Sequence, residues 1–208
     1  MFIRFVIKMV LRVDNFIYQL LSFLAIKQEG GKHPKHRLMR YHQFFLDNIS
    51  TTDKVLDLGC GAGFLAFVLA QKAKEVVGID ITKENIAKAR QKFKLPNLKF
   101  ILGDILEYNF KESFDVIVLS NVLEHLKERV DFLKRLNGLA PKILIRVPLL
   151  ERDWLTLYKK ELGVEYRLDK GHFIEYTFSS FKKELLESGW EISHSLTLFG
   201  ELWAVAFH

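Results

Sequence analysis

The sequence predicts an α/β protein in which helices cover both faces of a doubly wound, mostly parallel sheet. Between residues 54 and 148, short apolar runs alternate with segments whose apolar residues recur at helical spacing. Strands that read as nearly continuous apolar runs are typical of parallel sheets buried on both faces. A cluster of glycines in "VLDLGCGAGF" separates the first such run from its helix. Glycine clusters of this kind let the main chain approach a ligand closely.

The elements of this domain, residues 37–208, follow in order after an apolar extension and linker at residues 1–36. A helix is expected over "RLMRYHQFFLDNI". Strands are expected at "KVLDLG", "EVVGIDI", "LKFILGD", "FDVIVLSN" and "KILIRVP". Helices are expected at "GFLAFVLAQKA", "TKENIAKARQKF" and "ERVDFLKRLNGL". Right-handed crossovers between parallel strands then give a doubly wound sheet.

The alternation stops after Pro148. Residues 149–176 form a long connection rich in aromatic and charged side chains, which we expect to cover a substrate site. A helix at "TFSSFKKELLESG" follows it. The last two strands, "WEISHSLTL" and "ELWAVAF", are joined only by "FG", and so short a connection makes them antiparallel neighbours.

The composition indicates the redox environment of the protein and argues against a nucleic-acid partner. The chain has 208 residues and a single cysteine, Cys60, so an internal disulfide is excluded and a reducing, cytoplasmic setting is expected. The net charge is +6, but the basic residues are dispersed, which favours a solvated surface over a nucleic-acid site. No appended RNA-binding module is recognisable, and a nucleic-acid partner is therefore not expected.

Residues 1–27 are very apolar and are predicted to form a helix. Their longest run without charge, Asn15–Ile26, has 12 residues, fewer than the ~20 that a spanning helix needs. A small-residue cleavage site is absent, so a signal peptide is not expected. Six polar residues fall within about 80° of arc on a helical wheel: Arg4, Lys8, Arg12, Asn15, Gln19 and Ser22.

A helix with so narrow a polar stripe should bury most of its circumference. It could do so against its own domain, in a homodimer, or in a membrane interface. Interfacial helices usually carry a broader cationic face, so packing against protein is favoured, with peripheral membrane contact as the alternative. A break at Asp14 into two shorter helices is a further alternative.

Acidic residues end three successive strands. In an open parallel sheet, ligands bind outside the carboxyl ends of the strands. A dinucleotide does not fit here, because Phe64 stands where G-x-G-x-x-G requires its third glycine. The carboxylate of Asp57 would also repel a pyrophosphate at the following helix N-terminus. The pattern therefore favours a ligand that carries positive charge and no phosphate.

S-adenosylmethionine has these properties. Asp57 suits its cationic methionyl end, and Asp80 is placed to accept from the two ribose hydroxyls. Asp104 can accept from the adenine amino group, and Ile81 and Ile105 flank the ring. The alternative is a tight turn that binds no ligand, but such a turn does not explain why acidic residues end all three strands.

The motifs together resemble those of the class I S-adenosylmethionine-dependent methyltransferases. "VLDLGCGAG", "VVGIDI" and "ILGDI" resemble three cofactor-binding motifs of that family. "FDVIVLSNVLEHL" and "HFIEYTFSSFKKELLESGWEI" resemble segments of its small-molecule branch, which includes the ubiquinone and menaquinone methyltransferases. The resemblance covers about residues 37–208. It implies a seven-stranded sheet and transfer of a methyl group to a small, apolar or lipid-like acceptor.

The resemblance also implies roles for further residues. Gly59, Cys60 and Gly61 would form the cofactor loop, and Asn121 would line the methionyl side through its main chain. In quinone methyltransferases an arginine before the first acid holds the cofactor carboxylate, and Arg40 lies within one residue of that spacing. Five aromatic residues of the 149–176 segment could line the acceptor site or simply pack: Trp154, Tyr158, Tyr166, Phe173 and Tyr176.

Two histidines are candidates for the acceptor side. His125 is the nearest candidate for a general base, although Glu124 and His125 could instead brace their loop by hydrogen bonds. His172 is expected over the cofactor pocket. Small-RNA end-methylating enzymes hold magnesium with an E-x-x-E-H set, but Asn121 replaces the first glutamate here, so no metal is expected. An RNA- or protein-directed methyltransferase, or a binding module of this fold, remains the alternative.

Overall fold

The computed structural model describes residues 2–31 and 33–208. Met1 and Lys32, which belong to the predicted helix and linker of the extension, lie outside the described residues. A seven-stranded sheet has the order β3-β2-β1-β4-β5-β7-β6. Its strands are β1 Lys54–Leu58, β2 Glu75–Asp80, β3 Leu98–Leu102, β4 Val116–Ser120, β5 Lys142–Pro148, β6 Glu191–Leu198 and β7 Glu201–Phe207.

Strands β1 to β5 pair in parallel, and β7 lies antiparallel to both β5 and β6. The chain reverses between β6 and β7 through Phe199 and Gly200, both with positive φ, as expected for a two-residue hairpin turn. The predicted fold class, including the antiparallel last strand, is confirmed.

Helices cover both faces of the sheet. On one face pack α3 Tyr41–Asp47, α4 Phe64–Ala70 and α5 Lys83–Lys92, and on the other α6 Arg129–Leu136 and α8 Phe178–Glu187. Successive side chains of a strand point to opposite faces, so β4 contributes to both cores. Val116 and Val118 pack under the first set of helices, and Ile117 and Leu119 pack under the second. The strand ends are thereby held on a rigid, doubly covered platform.

The helix expected over residues 37–49 is interrupted. Helix α2, Lys35–Met39, ends at Arg40, which has a left-handed conformation with φ of 47°, and α3 begins at the next residue. The break turns Tyr41 into the core, where its hydroxyl lies 2.8 Å from His36 Nδ1. Burial of this aromatic ring explains why one continuous helix does not form.

The connection 149–176 contains a helix that the sequence analysis did not foresee. Helix α7, Trp154–Glu161, begins after Asp153, whose side chain accepts from the Thr156 amide at 2.6 Å. Arg152, just before it, forms an ion pair with buried Glu175. The ion pair between Arg152 and Glu175 therefore joins the two ends of the 149–176 segment.

Helix α1, Phe2–Gln28, is continuous, without a break at Asp14. By length and composition it could cross a membrane, and only 6% of its most apolar window is buried. Leu11 is its one buried residue and packs with Leu162 and Val164 near α7. The first of the three predicted alternatives, packing against its own domain, covers only one narrow face of α1, and burial of the rest in a homodimer or a membrane interface stays a prediction.

Candidate functional site

The glycine turn between β1 and α4 forms the floor of the candidate site. Gly59, Gly61 and Gly63 all have positive φ, between 54° and 82°, a region that is strained for other residues. A Cβ on Gly59 would lie 2.8 Å from Val122, and one on Gly63 would lie 2.6 Å from Phe100. A Cβ on Gly61 would meet nothing within 4 Å. Two glycines thus permit close packing, while Gly61 faces open space at the strand ends.

Asp80 connects this turn to the end of β2. Its Oδ2 accepts from the Gly61 amide at 2.9 Å and its Oδ1 accepts from the Thr82 amide at 2.8 Å. Thr82 is the N-cap residue of α5, but its own side chain makes no cap hydrogen bond. Oδ1 of Asp80 also accepts from Asn85 Nδ2 at 3.4 Å, whereas Oδ2 keeps a further acceptor site. Asp80 can therefore orient the turn and still accept from ligand hydroxyls.

Asp57 is a buried carboxylate without a complete set of partners. Its side chain is 2% exposed, and its Oδ2 makes no hydrogen bond among the described residues. Burial, aided by the nearby charge of Asp80, raises the pKa of Asp57 from 3.8 to about 8. A buried acid of this kind is stabilised by an incoming cation, which restores the interaction that burial removed. This fits the positively charged methionyl end of S-adenosylmethionine.

The adenine-side residues lie where the strands predict. Asp104 follows β3 and accepts from the Leu106 amide at 2.8 Å. Ile81 is an exposed apolar side chain directly after Asp80, and Ile105 is half-buried. An exposed isoleucine beside acidic strand ends suits the face of a flat, apolar ring.

Asn121 ends β4 in a conformation that is uncommon for residues other than glycine. Its φ is 57°, and its amide donates to the Arg146 carbonyl at 2.9 Å. The buried Oδ1 of Asn121 has no hydrogen-bond partner among the described residues. Strained backbone together with an unsatisfied polar atom is a recurring feature of ligand sites.

The side chains of two predicted cofactor residues, Cys60 and Arg40, lie in the core under α4 and in a separate groove, respectively. The side chain of Cys60 belongs to the core under α4, so only its main chain is left for a ligand. Arg40 is exposed and lines a groove between α3 and β6 with Phe44, His194 and Trp203. None of the three strand-end acids lines that groove, and the cofactor role of Arg40 remains a prediction.

The acceptor-side candidates do come together. Ligand atoms of Glu124, His125 and His172 all lie within 4.8 Å of one another, close enough to share one cation. The two imidazole rings meet edge to face with centroids 4.7 Å apart. His172 Nδ1 lies 3.4 Å from a carboxylate oxygen of Glu175, which fixes the ring. The expectation that the protein uses no metal remains a prediction.

Glu124 does not brace the loop through its side chain. It is fully buried, and neither carboxylate oxygen has a partner among the described residues. Burial raises the pKa of Glu124 to about 7. The loop is tied instead through the main chain, where the Phe173 amide donates to the Glu124 carbonyl at 2.7 Å. Burial also lowers the pKa of His125, and the nearby His172 adds to that effect.

A buried ionic cluster, which was not predicted from the sequence, lies beside these strand ends. Arg146 on β5 forms a two-point ion pair with Glu201 on β7, at 2.5 and 2.9 Å. Its guanidinium lies over the ring of Tyr41, 3.9 Å from the centroid, and donates to Ser120 Oγ at 3.2 Å. An arginine inside the apolar strand "KILIRVP" was the available signal, since buried charges need partners.

Comparisons with known proteins find methyltransferases. Residues 49–150 match the family described as "Methyltransferase domain". A ubiquinone biosynthesis O-methyltransferase of Bradyrhizobium diazoefficiens is 34% identical over 118 residues, covering 55% of this chain and 47% of that protein. A probable (S)-tetrahydroprotoberberine N-methyltransferase of Papaver bracteatum is 35% identical over 103 residues, covering 46% of this chain and 29% of that protein. The chain thus spans about half the length of its ubiquinone relatives.

Solved structures share the fold. Magnesium protoporphyrin IX methyltransferase of Synechocystis with bound SAH superimposes with a TM-score of 0.65 at 21% identity, covering 84% of this chain and 83% of that one. A Haloferax volcanii methyltransferase in complex with the activator Trm112 has a TM-score of 0.68 at 15% identity, covering 89% and 94%. At these identities the likeness supports the fold alone.

Proposed function

Because the chain belongs to the class I S-adenosylmethionine-dependent methyltransferases, we propose that it transfers a methyl group from S-adenosylmethionine to a small, apolar or lipid-like acceptor. The observation that carries the proposal is the buried carboxylate of Asp57, whose Oδ2 has no hydrogen-bond partner among the described residues, together with the open space at Gly61. A fold without a ligand gains nothing from an uncompensated acid at this position. A cationic ligand at the strand ends accounts for it.

The residues at the strand ends would hold the cofactor by complementary chemistry. Asp57 would face the cationic methionyl end, and Asp80 would accept from the ribose hydroxyls. Asp104 would accept from the adenine amino group, with Ile81 against the ring. When bound, S-adenosylmethionine supplies a methyl group on a positively charged sulfur. The chain itself contributes orientation and exclusion of water, which are the main demands of an in-line displacement.

The acceptor would lie on the side of Glu124, His125 and His172. Since burial lowers the pKa of His125, its imidazole is neutral near pH 7 and can accept a proton from the acceptor. Glu124, with a pKa of about 7, can take up a proton in the same region. The relatives named for ubiquinone O-methylation support an apolar acceptor, while the alkaloid relative is named for N-methylation. The proposal therefore names the acceptor class and leaves its reacting atom open.

Calorimetry tests the cofactor assignment. We expect S-adenosylmethionine and its demethylated product to bind with micromolar affinity and NAD to bind far more weakly. Replacing Asp80 by alanine should weaken binding by about 1–3 kcal/mol, because the ribose hydroxyls lose their acceptors. Asp131→Ala is the matched control, since that acid lies on α6 with a side chain 75% exposed.

Two results would contradict the proposal. Tight binding of NAD would overturn the cofactor assignment, and an unchanged affinity in Asp80→Ala would show that the ribose lies elsewhere. RNA binding with a steep salt dependence would favour the RNA-directed alternative. A screen of hydroxylated aromatic compounds with and without apolar tails, read by transfer of labelled methyl, then tests the acceptor class.

A further inference from the structure

Helix α1 exposes an apolar surface that covers nearly half of its circumference. On a wheel of 100° per residue, 13 of its 14 exposed large apolar side chains fall in an arc about 160° wide, and Tyr18 lies outside it. Each of the 13 is more than two-fifths exposed: Phe2, Ile3, Phe5, Val6, Met9, Val10, Val13, Phe16, Ile17, Leu20, Leu21, Phe23 and Leu24. A contiguous exposed apolar surface made of 13 side chains indicates an interaction site on a folded protein.

The opposite face of α1 holds the helix on the domain. Its contacts come from four residues near the middle of the helix, Ile7, Leu11, Asp14 and Asn15. Asp14 forms an ion pair with Lys159 on α7 at 2.6 Å, and Asn15 donates to the Glu165 carbonyl at 2.7 Å. The domain therefore lies behind the helix, and the apolar arc points away from it.

This attachment argues against a helix that crosses the bilayer. The hydrocarbon core is about 30 Å thick, or roughly 20 residues of helix, so its centre would coincide with the middle of α1. Asp14, Lys159 and the charged helix α7 would then lie in hydrocarbon, where charged groups are costly. A helix lying along the surface keeps α7 at the level of the hydrated headgroups, outside the hydrocarbon, and places only the apolar arc among acyl chains.

Charges on α1 favour an anionic surface. Arg12 borders the apolar arc, and Lys8 and Arg4 lie about 60° and 100° beyond its edge on the helical wheel. Asp14 is the one acid of the helix, and its ion pair with Lys159 neutralises it. Cations beside an apolar face are attracted to the negative potential of anionic lipids, by about 1 kcal/mol each near the surface.

We propose that α1 docks flat on an anionic lipid bilayer and holds the 149–176 segment at the membrane surface. A second copy of the chain fits the arc less well, because a helix pair buries a narrow seam. A seam along Val13, Leu20 and Leu24 would leave the phenylalanines at 5, 16 and 23 in water. A bilayer covers the whole arc at once.

The docked helix is connected to the candidate acceptor site. Asn15 binds the Glu165 main chain, and the Glu165 side chain forms an ion pair with Arg167 at 2.8 Å. Arg167 in turn donates to the His172 carbonyl at 2.9 Å. A membrane-borne acceptor would thus meet the protein where His172 is positioned. This link to the acceptor rests on the proposed function, whereas the docking itself does not.

Vesicle sedimentation with the full chain tests the docking. We expect binding to vesicles of phosphatidylcholine with phosphatidylglycerol and weaker binding to phosphatidylcholine alone. Leu20→Glu, at the centre of the arc, should lower the affinity about tenfold or more, because it places a charge among acyl chains. Gln19→Glu adds the same charge on the polar stripe and should weaken binding by no more than about fivefold, which corresponds to the roughly 1 kcal/mol expected of one charge near the surface.

Tryptophan emission tests the position of the 149–176 segment. Trp154 is 72% exposed, whereas Trp190 and Trp203 are buried in the core. Docking should therefore shift the emission to shorter wavelength through Trp154 alone, since it moves from water into the interface. Trp154→Phe should bind vesicles nearly as well and lose the shift.

The vesicle, light-scattering and fluorescence results separate the docking of α1 from its alternatives. Absence of vesicle binding, or equal losses in Leu20→Glu and Gln19→Glu, would overturn the docking. A dimer in light scattering that Leu20→Glu dissociates, without vesicle binding, would identify a second copy as the partner. Binding without a Trp154 shift would overturn the placement of the segment. Binding of the demethylated cofactor, measured in the same preparations, reports on the proposed function separately.

Discussion

Replacing Asp57 by asparagine should stabilise the ligand-free protein at neutral pH. Asparagine has nearly the same shape but never ionises. In the wild type, burial raises the pKa of Asp57 from 3.8 to about 8. Between these values the folded protein keeps a proton that the unfolded chain has released, so stability falls as pH rises. The asparagine variant does not show this loss.

The size of the effect follows from the shift. One pH unit corresponds to about 1.4 kcal/mol while the folded form is protonated and the unfolded form is ionised. The stability contribution of Asp57 is fully present below about pH 4 and is lost progressively up to about pH 8. Between pH 5.5 and pH 7.5 the variant should therefore gain roughly 3 kcal/mol on the wild type.

Urea unfolding at several pH values measures this difference. Asp131→Asn is the matched control, because its carboxylate is in water in both states and its stability should follow that of the wild type. A difference between Asp57→Asn and the wild type that stays constant with pH would refute the reasoning. It would show that Asp57 is ionised in the folded protein and has a partner.

The same substitution tests the cofactor role. A cationic ligand selects the ionised form of Asp57, so wild-type affinity should rise by up to tenfold per pH unit below about pH 8 and then level off. Calorimetry in buffers of different ionisation enthalpy should detect the released proton. The affinity of Asp57→Asn should be weaker and should lack this dependence; an identical pH profile would separate Asp57 from the ligand.

Two further predictions concern the glycine turn and the ionic cluster. Gly61→Ala should cost about 1 kcal/mol of folding stability through its positive φ and should greatly weaken cofactor binding. Gly63→Ala should destabilise the fold more, because its Cβ would clash with neighbouring side chains. Urea unfolding measures the two stabilities, and calorimetry measures the two cofactor affinities. Arg146→Met should cost about 3–5 kcal/mol by leaving Glu201 buried and unpaired, and Glu201→Met added to it should recover most of that loss. Equal stability of the single and double variants would contradict this.

Much of the fold could be predicted from the sequence because local and global signals agree. The apolar strands, the glycine turn and the two-residue reversal at Phe199 and Gly200 each allow one arrangement. Positions at strand ends were predictable for the same reason, since parallel strands bring Asp57, Asp80 and Asp104 to one edge. The break at Arg40 was not, because it depends on a distant contact between Tyr41 and Arg146.

The environment of α1 could not be derived from its pattern. The narrow polar stripe indicates how much of the helix avoids water and does not indicate what covers it. Only the contacts of Asp14 and Asn15 show that the domain takes the face opposite the apolar arc. The sequence favoured packing against protein with membrane contact as the alternative, and the chain's own domain leaves the apolar arc uncovered.

Three residues of the candidate site, Asp57, Asn121 and Glu124, have buried side-chain oxygens without partners among the described residues. Asp57 belongs to the proposed cofactor side and Glu124 to the proposed acceptor side, and burial raises the pKa of both toward neutrality. Asn121 also has a strained main chain, with positive φ. Such features reduce stability and persist in folded proteins mainly where ligands compensate them. Asp57, Asn121 and Glu124 lie at or just after the ends of strands β1 and β4. The loss of stability from their unsatisfied polar atoms is therefore concentrated where the methyl donor and the acceptor would meet.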